Sequence, residues 1–428
     1  MRQLVSAVLL TVTAALMTGC SSGGGAGDEL SAGPVTLRFS WWGADDRHKR
    51  TQQVIELFQQ KHPNITVRGE FKDWNSYWDS LATTVAANDA PDVIQMDELY
   101  LASYAQRGAL LDLNTQKTHL KTGDFDPKAL ATGALDGQQY GLPVGLGSYA
   151  MVANTDLLAK YGIPLPDDST WSWEDLKRVG EQVSKAAGGS VWGVQSPGFS
   201  DAGGLHIWAR QAGGKLFDDT GKVAIPPEVL TRYFGYLLDL SRSAAPPPSV
   251  TIEKAGGTLA QTAVATNATA FGFCWNTQLT TLSAASGQKL KLLKLPGEAQ
   301  AHAAYYKPSM FWSVSARSQH PAEAALLLDF LANDPDAAKI MLTDRGVPAN
   351  TKIRAAIDGS LKPTDKAAAD YLTQLTVTDP PRVTPNGAST VETILKRHAE
   401  DVLFARVTPE AAAKAFIAEL QADVDAAK

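Results

Sequence analysis

The residues best suited to contact a ligand are tryptophans that lie beside acids or amides. Residues 40–47 read SWWGADDR and directly follow the strand-like run VTLRF. Consecutive strand residues face opposite ways and each indole N–H needs a partner, so the rings of Trp41 and Trp42 are not expected to share one core. Similar pairings recur in KDWNSYW, QMDE and FGFCWN. Aromatic faces with carboxylates and amides nearby indicate a binding surface rather than a core.

A sugar is the ligand that this combination suits. The C–H face of a pyranose packs on indole, while its hydroxyls need donors and acceptors nearby. Burying one such face contributes roughly 1.5–3 kcal/mol, so two or three faces support micromolar binding. Packing is the alternative for any single tryptophan, and it is expected for Trp78 and Trp173, which fall on predicted helices.

No familiar catalytic signature occurs in the sequence. H-E-x-x-H, the Walker A motif, C-x-x-C and G-x-S-x-G are all absent, and the seven histidines lie far apart. The stretch GLGSYA lacks the third glycine of a dinucleotide fingerprint and does not open a helix. We therefore expect no catalytic residue, no metal and no cofactor. A glycosidase carboxylate pair cannot be judged from sequence spacing, so an exported glycan-active hydrolase stays open as an alternative.

Composition sets the size and excludes one class of partner. The chain has 428 residues, is 44% hydrophobic and 20% charged, and is long enough for two domains. Its net charge is -6 and it has no basic block. Nucleic-acid binding is therefore excluded, because phosphate neutralisation requires clustered Lys and Arg.

The first twenty residues indicate export and a lipid anchor. One arginine precedes an apolar run at 4–17, and Thr-Gly-Cys follows. This pattern is typical of a bacterial lipoprotein signal peptide over 1–19, with Cys20 lipidated. Residues 20–34, rich in Gly and Ser, are predicted to be a flexible tether. The expected location is extracytoplasmic, on the outer face of the bacterial cell membrane. The only other cysteine, Cys274, lies in an apolar run and is expected to pack as a small hydrophobe.

From residue 35 onward, short β-rich runs alternate with amphipathic helical segments. VTLRFSW, ITVRGEF and PDVIQMD read as strands, and helical patterns separate and follow them. Ser172 and Asp175 are spaced as a capping box before another helix. This repetition predicts an α/β lobe with a parallel or mixed sheet, and a second lobe is predicted to begin near Tyr140.

The ordered set of these segments resembles the extracellular solute-binding proteins (family 1) of carbohydrate ABC importers. The stretches that carry the likeness are the lipobox and tether, TLRFSWWGADDRHKRTQQVIELFQQKHPNITV, APDVIQMDELYLASYAQRGALLDL, YGLPVGLGSYAMVANTDLLAKYGI, TWSWEDL, FCWN and RGVPANTKI. The resemblance implies a periplasmic-binding-protein-like α/β fold of maltose-binding-protein-like architecture, with two lobes, three interlobe crossings and a central ligand cleft. Lobe 1 is then 35–145 plus 314–346, and lobe 2 is 146–313 plus 347–428. The crossings are expected near 145–149, 311–315 and 346–350.

The resemblance also implies which side chains line the cleft. They are aromatic, acidic and amide residues at strand exits and crossings, with one arginine: Trp41, Trp42, Asp45, Asp46, Asp73, Trp74, Gln95, Asp97, Glu98, Tyr149, Phe273, Trp275, Asn276, Phe311, Trp312 and Arg345. Asn276 and Asn386 are weaker candidates. Arg345 is expected to donate two N–H groups to vicinal hydroxyls. One of the two adjacent indoles is expected to stack on the ligand while the other supports it.

The implied function is binding without chemistry. A monomeric receptor closes on a carbohydrate and delivers it to ABC permease subunits in the membrane, whose transport a separate ATPase drives. Three alternatives stay open. The same clamp could hold a non-sugar solute, for which an anion site with Lys72 or Arg345 would be needed. The others are the exported hydrolase and a lipoprotein adhesin without a small ligand.

Overall fold

A computed structural model describes residues 28–43, 45–196 and 202–427. Cys20 and the signal peptide lie outside these residues. The first elements are β1 (Val35–Trp42), α1 (Asp45–Lys61), β2 (Ile65–Lys72), α2 (Trp74–Ala86), β3 (Val93–Met96), α3 (Glu98–Gln106), α4 (Pro127–Ala131), β4 (Ala134–Leu135), β5 (Gln138–Gln139) and β6 (Leu142–Gly147).

The remaining elements form the second half of the chain. The middle ones are β7 (Tyr149–Asn154), α5 (Thr155–Lys160), α6 (Trp173–Ala186), β8 (Trp192–Val194), α7 (Gly203–Gln211), α8 (Pro227–Ser243), α9 (Pro248–Ala255), β9 (Thr269–Trp275), α10 (Leu279–Ser286) and β10 (Leu290–Leu293). The last ones are β11 (Lys307–Val314), α11 (Pro321–Asn333), α12 (Pro335–Met341), β12 (Val347–Pro348), α13 (Thr351–Ile357), α14 (Pro363–Thr373), α15 (Val391–Leu403) and α16 (Pro409–Ala426). No helix in the described ranges is both long and apolar enough to cross a membrane.

Two sheets organise these elements into two lobes. The larger sheet has the order β12-β6-β11-β3-β1-β2, and the smaller one has the order β10-β7-β9-β8. In the larger sheet β1 pairs in parallel with β2 and β3, while β11 runs antiparallel to β3 and β6. In the smaller sheet β7 is antiparallel to β9 and β10. The predicted α/β fold with a mixed sheet is confirmed.

The first lobe follows from its sequence pattern. Strand β1 turns Val35, Leu37 and Phe39 into the core, and α1 buries Val54 and Phe58. The parallel pairing of β1 with β2 requires a crossover, which α1 supplies. Because the carboxyl ends of β1, β2 and β3 lie at one edge of the sheet, the residues that follow these strands come together there.

Two of the three interlobe crossings differ from the predicted positions. The first, at Ser148 between β6 and β7, lies inside the predicted range 145–149. All of β11 pairs within the larger sheet, so the chain crosses before Lys307 rather than at 311–315, and residues 307–313 join lobe 1. Strand β12 also belongs to that sheet and α13 packs on α12, so the last crossing follows α13 rather than lying at 346–350. Gly346 and Pro348, which were interpreted as part of the last junction, lie beside and inside the edge strand β12.

The end of the predicted tether is attached to lobe 1. The backbone N–H of Ser31 donates to the carboxylate of Glu323, and the side chain of Thr118 bonds the carboxylate of Asp28. His119 Nε2 lies 3.1 Å from the carbonyl of Asp28. Residues 28–31 are therefore bound to the lobe, whereas the tether was expected to be flexible as far as residue 34.

Candidate functional site

A groove with open volume lies where α3 of lobe 1 faces the loops of lobe 2. Its largest cavity, about 440 Å³, is bounded by Gln106 and Arg107 on one side and by Thr220, Arg382 and Asn386 on the other. This size falls in the range of small-molecule sites. The groove therefore has room for a ligand held by both lobes.

Segment 379–386 runs along this groove. A second cavity of about 290 Å³ is bounded by His206, Arg210, Asp379 and Arg382. A third space of about 30 Å³ lies between Glu98 of lobe 1 and the same segment. Because Arg382 borders all three, the cavities are neighbouring parts of one groove.

An aromatic cluster of lobe 1 lies at the ends of the parallel strands. Trp42 ends β1 and Trp74 follows β2, and their ring centroids are 5.0 Å apart in an edge-to-face arrangement. Trp78 and Tyr100 extend the cluster, with centroids 4.1 Å apart. Trp74 is 38% exposed, whereas Trp42 is nearly buried. Trp74 therefore presents the free aromatic surface, and Trp42 supports it.

A cation–π contact connects the two lobes beside the groove, and an ion pair within lobe 1 supports it. Glu98, at the start of α3, lies 3.2 Å from Lys307 Nζ at the start of β11. The same ammonium lies 5.4 Å from the ring centroid of Trp275 on β9. Burial raises the pKa of the Glu98 carboxyl, and the charge of Lys307 opposes this rise. Glu98 and Trp275, both predicted site residues, are thus bridged by Lys307, which the sequence reasoning missed.

An aromatic group of lobe 2 surrounds Trp275, and its member Tyr305 borders the groove. The half-buried ring of Trp275 packs edge-to-face on Tyr149 at 5.0 Å and lies 6.3 Å from Tyr305. Tyr149 is buried, and Phe273 is buried behind it in a stack with Trp173 at 6.1 Å. Of the predicted lobe 2 aromatics, Trp275 alone is partly open among the described residues, and the other two support it.

The predicted acids at the strand exits act as helix caps. Asp73 accepts from the backbone N–H of Ser76, and Asp97 accepts from that of Leu99. Each therefore begins a helix, α2 or α3, at the edge that carries Trp74. Asp45 and Asp46 are exposed in the first turn of α1, where the helix dipole favours negative charge.

Trp41 lies on the opposite face of the sheet from Trp42 and is buried. Its Nε1–H donates to Nδ1 of His48 at 3.0 Å, and its ring packs on Phe39 at 4.8 Å and Phe71 at 5.7 Å. The expected divergence of the two indoles is therefore present. Trp41 packs beside α1 and has no face toward the groove, so it is not the supporting partner of a ligand-stacking ring.

The expectation that Arg345 donates to a ligand is wrong, because its three nitrogens donate inward. Nε donates to Gln95 Oε1 at 3.1 Å, Nη2 to Thr51 Oγ1 at 2.9 Å, and Nη1 to Asp344 Oδ2 at 3.1 Å. Gln95 is itself buried and donates to the carbonyl of Trp42. Burial lowers the pKa of Arg345 to about 9. Gln95 and Arg345 form a network in the core of lobe 1.

Three further predicted contacts are also structural. Phe311 and Trp312 are fully buried on opposite faces of β11, because the second crossing that was expected to expose them lies earlier in the chain. Asn276 Oδ1 accepts the backbone N–H of Ser148, and Nδ2 donates to the carbonyl of Ala368, both at 2.8 Å. Asn276 therefore fixes the first crossing in place.

Several groove residues were missed by sequence reasoning. Arg107, His206, Arg210 and Arg382 all border the cavities. The run TDPPRVTPN around Arg382 has no helical or strand period, and an arginine between prolines was the one local signal. Across the described ranges, no three His, Cys, Asp or Glu side chains are grouped as metal ligands would be.

His206 makes the stability of the folded protein depend on pH. Burial, with the nearby charges of Arg210 and Lys307, lowers its pKa to about 4 from 6.5. Between pH 4 and pH 6.5 the unfolded chain therefore binds more protons than the folded chain. The free energy of unfolding is thus highest above pH 6.5 and decreases as the pH falls toward 4. We expect about 1–3 kcal/mol of the free energy of unfolding to be lost over this window. Urea unfolding of the wild type and His206→Gln would measure it, and equal slopes against pH in both proteins would contradict the assignment.

Known proteins share this architecture. The family model for bacterial extracellular solute-binding proteins matches residues 53–370. An uncharacterized lipoprotein of Streptomyces antibioticus is 28% identical over 80% of this chain and 76% of that protein. The diacetylchitobiose-binding protein of Streptomyces coelicolor is 30% identical over 27% of this chain and 28% of that protein. A family 1 solute-binding protein from Alicyclobacillus acidocaldarius has a TM-score of 0.74 and 27% identity, over 92% of this chain and 99% of that one.

The family match covers most of the two-lobed fold, whereas β1 and the groove segment 379–386 lie outside the matched residues. Residues 53–370 include most of both sheets and all three crossings, and the structural likeness extends over nearly the whole described chain. The chain belongs to the bacterial extracellular solute-binding proteins, non-catalytic receptors that bind a solute for ABC transport.

Proposed function

We propose that this receptor captures a sugar or oligosaccharide between its lobes. The observation that carries the proposal is a partly exposed indole on each lobe, Trp74 in the aromatic cluster of lobe 1 and Trp275 beside the Lys307–Glu98 pair at the groove. The amides of Gln106 and Asn386 border the larger cavity of the same groove. Indole faces suit the apolar side of a pyranose, and the amides suit its hydroxyls. The name of the Streptomyces coelicolor relative, a diacetylchitobiose-binding protein, supports the same ligand class.

Ligand binding would favour a closed arrangement of the lobes. A sugar that touches both Trp74 and Trp275 gains contacts that exist only when the lobes are together, so it shifts the open–closed equilibrium toward closure. Hinge closure of this kind is known for periplasmic-type receptors. The closed form would then dock on the membrane permease and release its sugar for import.

A lipid anchor at Cys20 completes the proposed arrangement. The described chain begins at Asp28, attached to lobe 1 next to Thr118 and His119. Asp28 lies eight positions after Cys20, and eight residue steps span at most about 28 Å. The anchor would therefore hold this side of lobe 1 close to the membrane surface.

A binding screen tests the proposed ligand class. The purified protein is melted with mono- to tetrasaccharides, amino acids and short peptides, and each compound that raises the melting temperature is titrated by calorimetry. A true ligand at a hundredfold its Kd adds about 2.7 kcal/mol to stability, which gives a clear shift. We expect shifts with saccharides that the protein leaves chemically intact. Shifts with peptides or amino acids alone would contradict the proposal.

A further inference from the structure

The charges around the largest cavity are all of one sign. Among the described residues that border it, the charged ones are Arg107 and Arg382, and the others are small, apolar or neutral polar side chains. The protein as a whole has a net charge of -6. Although the protein is acidic, two guanidinium groups and no carboxylate are among the residues that line this cavity between the lobes.

The neighbouring cavity has a smaller excess of positive charge. There Arg210, Lys215 and Arg382 are accompanied by two carboxylates, those of Asp219 and Asp379. Arg210 is also bonded to the carbonyl of Ala303 and to Thr378, which directs its donors into the protein. The excess of positive charge is therefore larger at the 440 Å³ cavity, where no carboxylate is among the lining residues.

The two arginines come from opposite lobes and are differently held. Arg107 is exposed at the carboxyl end of α3 in lobe 1. Arg382 belongs to the segment of lobe 2 that runs along the groove, and its side chain is 22% exposed. Its Nη1 donates to the carbonyl of Asp219, while Nη2 lies 3.6 Å from Asp136 Oδ1, a carboxylate that is 68% exposed. The contact with the carbonyl of Asp219 fixes the Arg382 guanidinium. The ion pair with Asp136 is long and exposed, so it competes only weakly with a ligand.

We propose that this cavity binds the carboxylate of an acidic sugar, so that the receptor's ligand is a uronic-acid saccharide. The planar guanidinium fork matches a carboxylate in two parallel hydrogen bonds. Gln106 and Asn386 border the same space and offer amides to the ring hydroxyls. Because the arginines lie on different lobes, one carboxylate between them would also favour closure. This inference rests on the proposed function, since it names the class of saccharide.

Calorimetry with matched ligands tests the inference. Neutral oligosaccharides, uronic-acid oligosaccharides of the same length and linkage, and a sugar phosphate are titrated into the wild type, Arg382→Gln and Arg107→Gln. We expect the uronic-acid ligand to bind at least tenfold more tightly than its neutral match, and each substitution to weaken it about tenfold. Binding of the neutral sugar should change less than about twofold. Added salt should weaken the wild type more than either variant.

Control measurements separate the possible failures. Arg178→Gln removes an exposed arginine on α6 that pairs with Asp175, and uronate binding should not change. Thermal unfolding of each variant shows whether the fold is intact. Equal affinity for neutral and acidic sugars, uronate binding that ignores both substitutions, or tighter binding of the sugar phosphate would each overturn the inference while the proposed receptor function stands. Failure of every saccharide to bind would overturn both.

Discussion

Alanine in place of Trp74 is expected to weaken sugar binding ten- to a hundredfold and to leave the fold intact. The ring is 38% exposed and is held by Trp42 at 5.0 Å and Tyr100 at 6.4 Å, so one face is free for a ligand. Covering such a face removes apolar area from water and contributes roughly 1.5–3 kcal/mol, which corresponds to this range of Kd. Calorimetric titration of the saccharide found in the screen measures the change.

Phe71 provides a matched control from the same edge of the sheet. It is 54% exposed, but it stacks on His48 at 3.8 Å beside Trp41, on the face opposite to Trp74. Phe71→Ala removes a similar exposed aromatic ring, and we expect no change in Kd. If Phe71→Ala weakens binding and Trp74→Ala does not, the sugar lies on the other face of the sheet and the proposed role of Trp74 is wrong.

Arg345→Ala is expected to lower the free energy of unfolding by about 3–5 kcal/mol, because it removes a buried charge from a hydrogen-bonded network. Gln95 Oε1 and Thr51 Oγ1 each lose the hydrogen bond that Arg345 donates. Asp344 keeps a second ion pair, with Arg47 at 3.0 Å, which limits the loss. Urea unfolding at neutral pH measures the difference.

The same variant shows whether Arg345 touches the ligand. Under conditions where Arg345→Ala is still folded, we expect its sugar affinity to stay within about twofold of the wild type. Arg317→Ala, at an exposed position, serves as a control and should change stability by less than about 0.5 kcal/mol. A large loss of affinity with unchanged stability would return Arg345 to the binding site.

Local patterns predicted most of the fold. The alternation in VTLRF and the apolar period of the following helix place β1 and α1 correctly, and Ser172 and Asp175 form the predicted capping box. Cys274 is buried, as its apolar surroundings indicated. The crossings were harder to place because strand membership depends on distant partners. Strand β11 joins the larger sheet by pairing with β3 and β6, and nothing within β11 specifies those partners.

The candidate site was predicted in part for a similar reason. Glu98 borders the groove, and Trp74 lies at the same sheet edge because β2 and β3 both end there. Trp275 ends β9 of the other sheet and reaches Glu98 through Lys307. Arg345 was misplaced, because a side chain beside a glycine turn looks exposed until Gln95 and Thr51, from remote segments, enclose it. Arg382 was missed because its position depends on how a loop without secondary structure lies across the groove.

All three connections between the lobes are attached to neighbouring strands at one edge of the larger sheet, namely β6, β11 and, through α13, β12. Strands are spaced by about 4.8 Å, so β3, which precedes Glu98, lies one spacing from this edge group, and β2, which precedes Trp74, lies three spacings away, about 14 Å. If the lobes rotate about that edge, Trp74 lies further from the rotation axis than Glu98 and moves further. Its ring would be the last to contact the sugar during closure. Removing this ring should therefore increase the dissociation rate of the sugar more than it lowers the association rate.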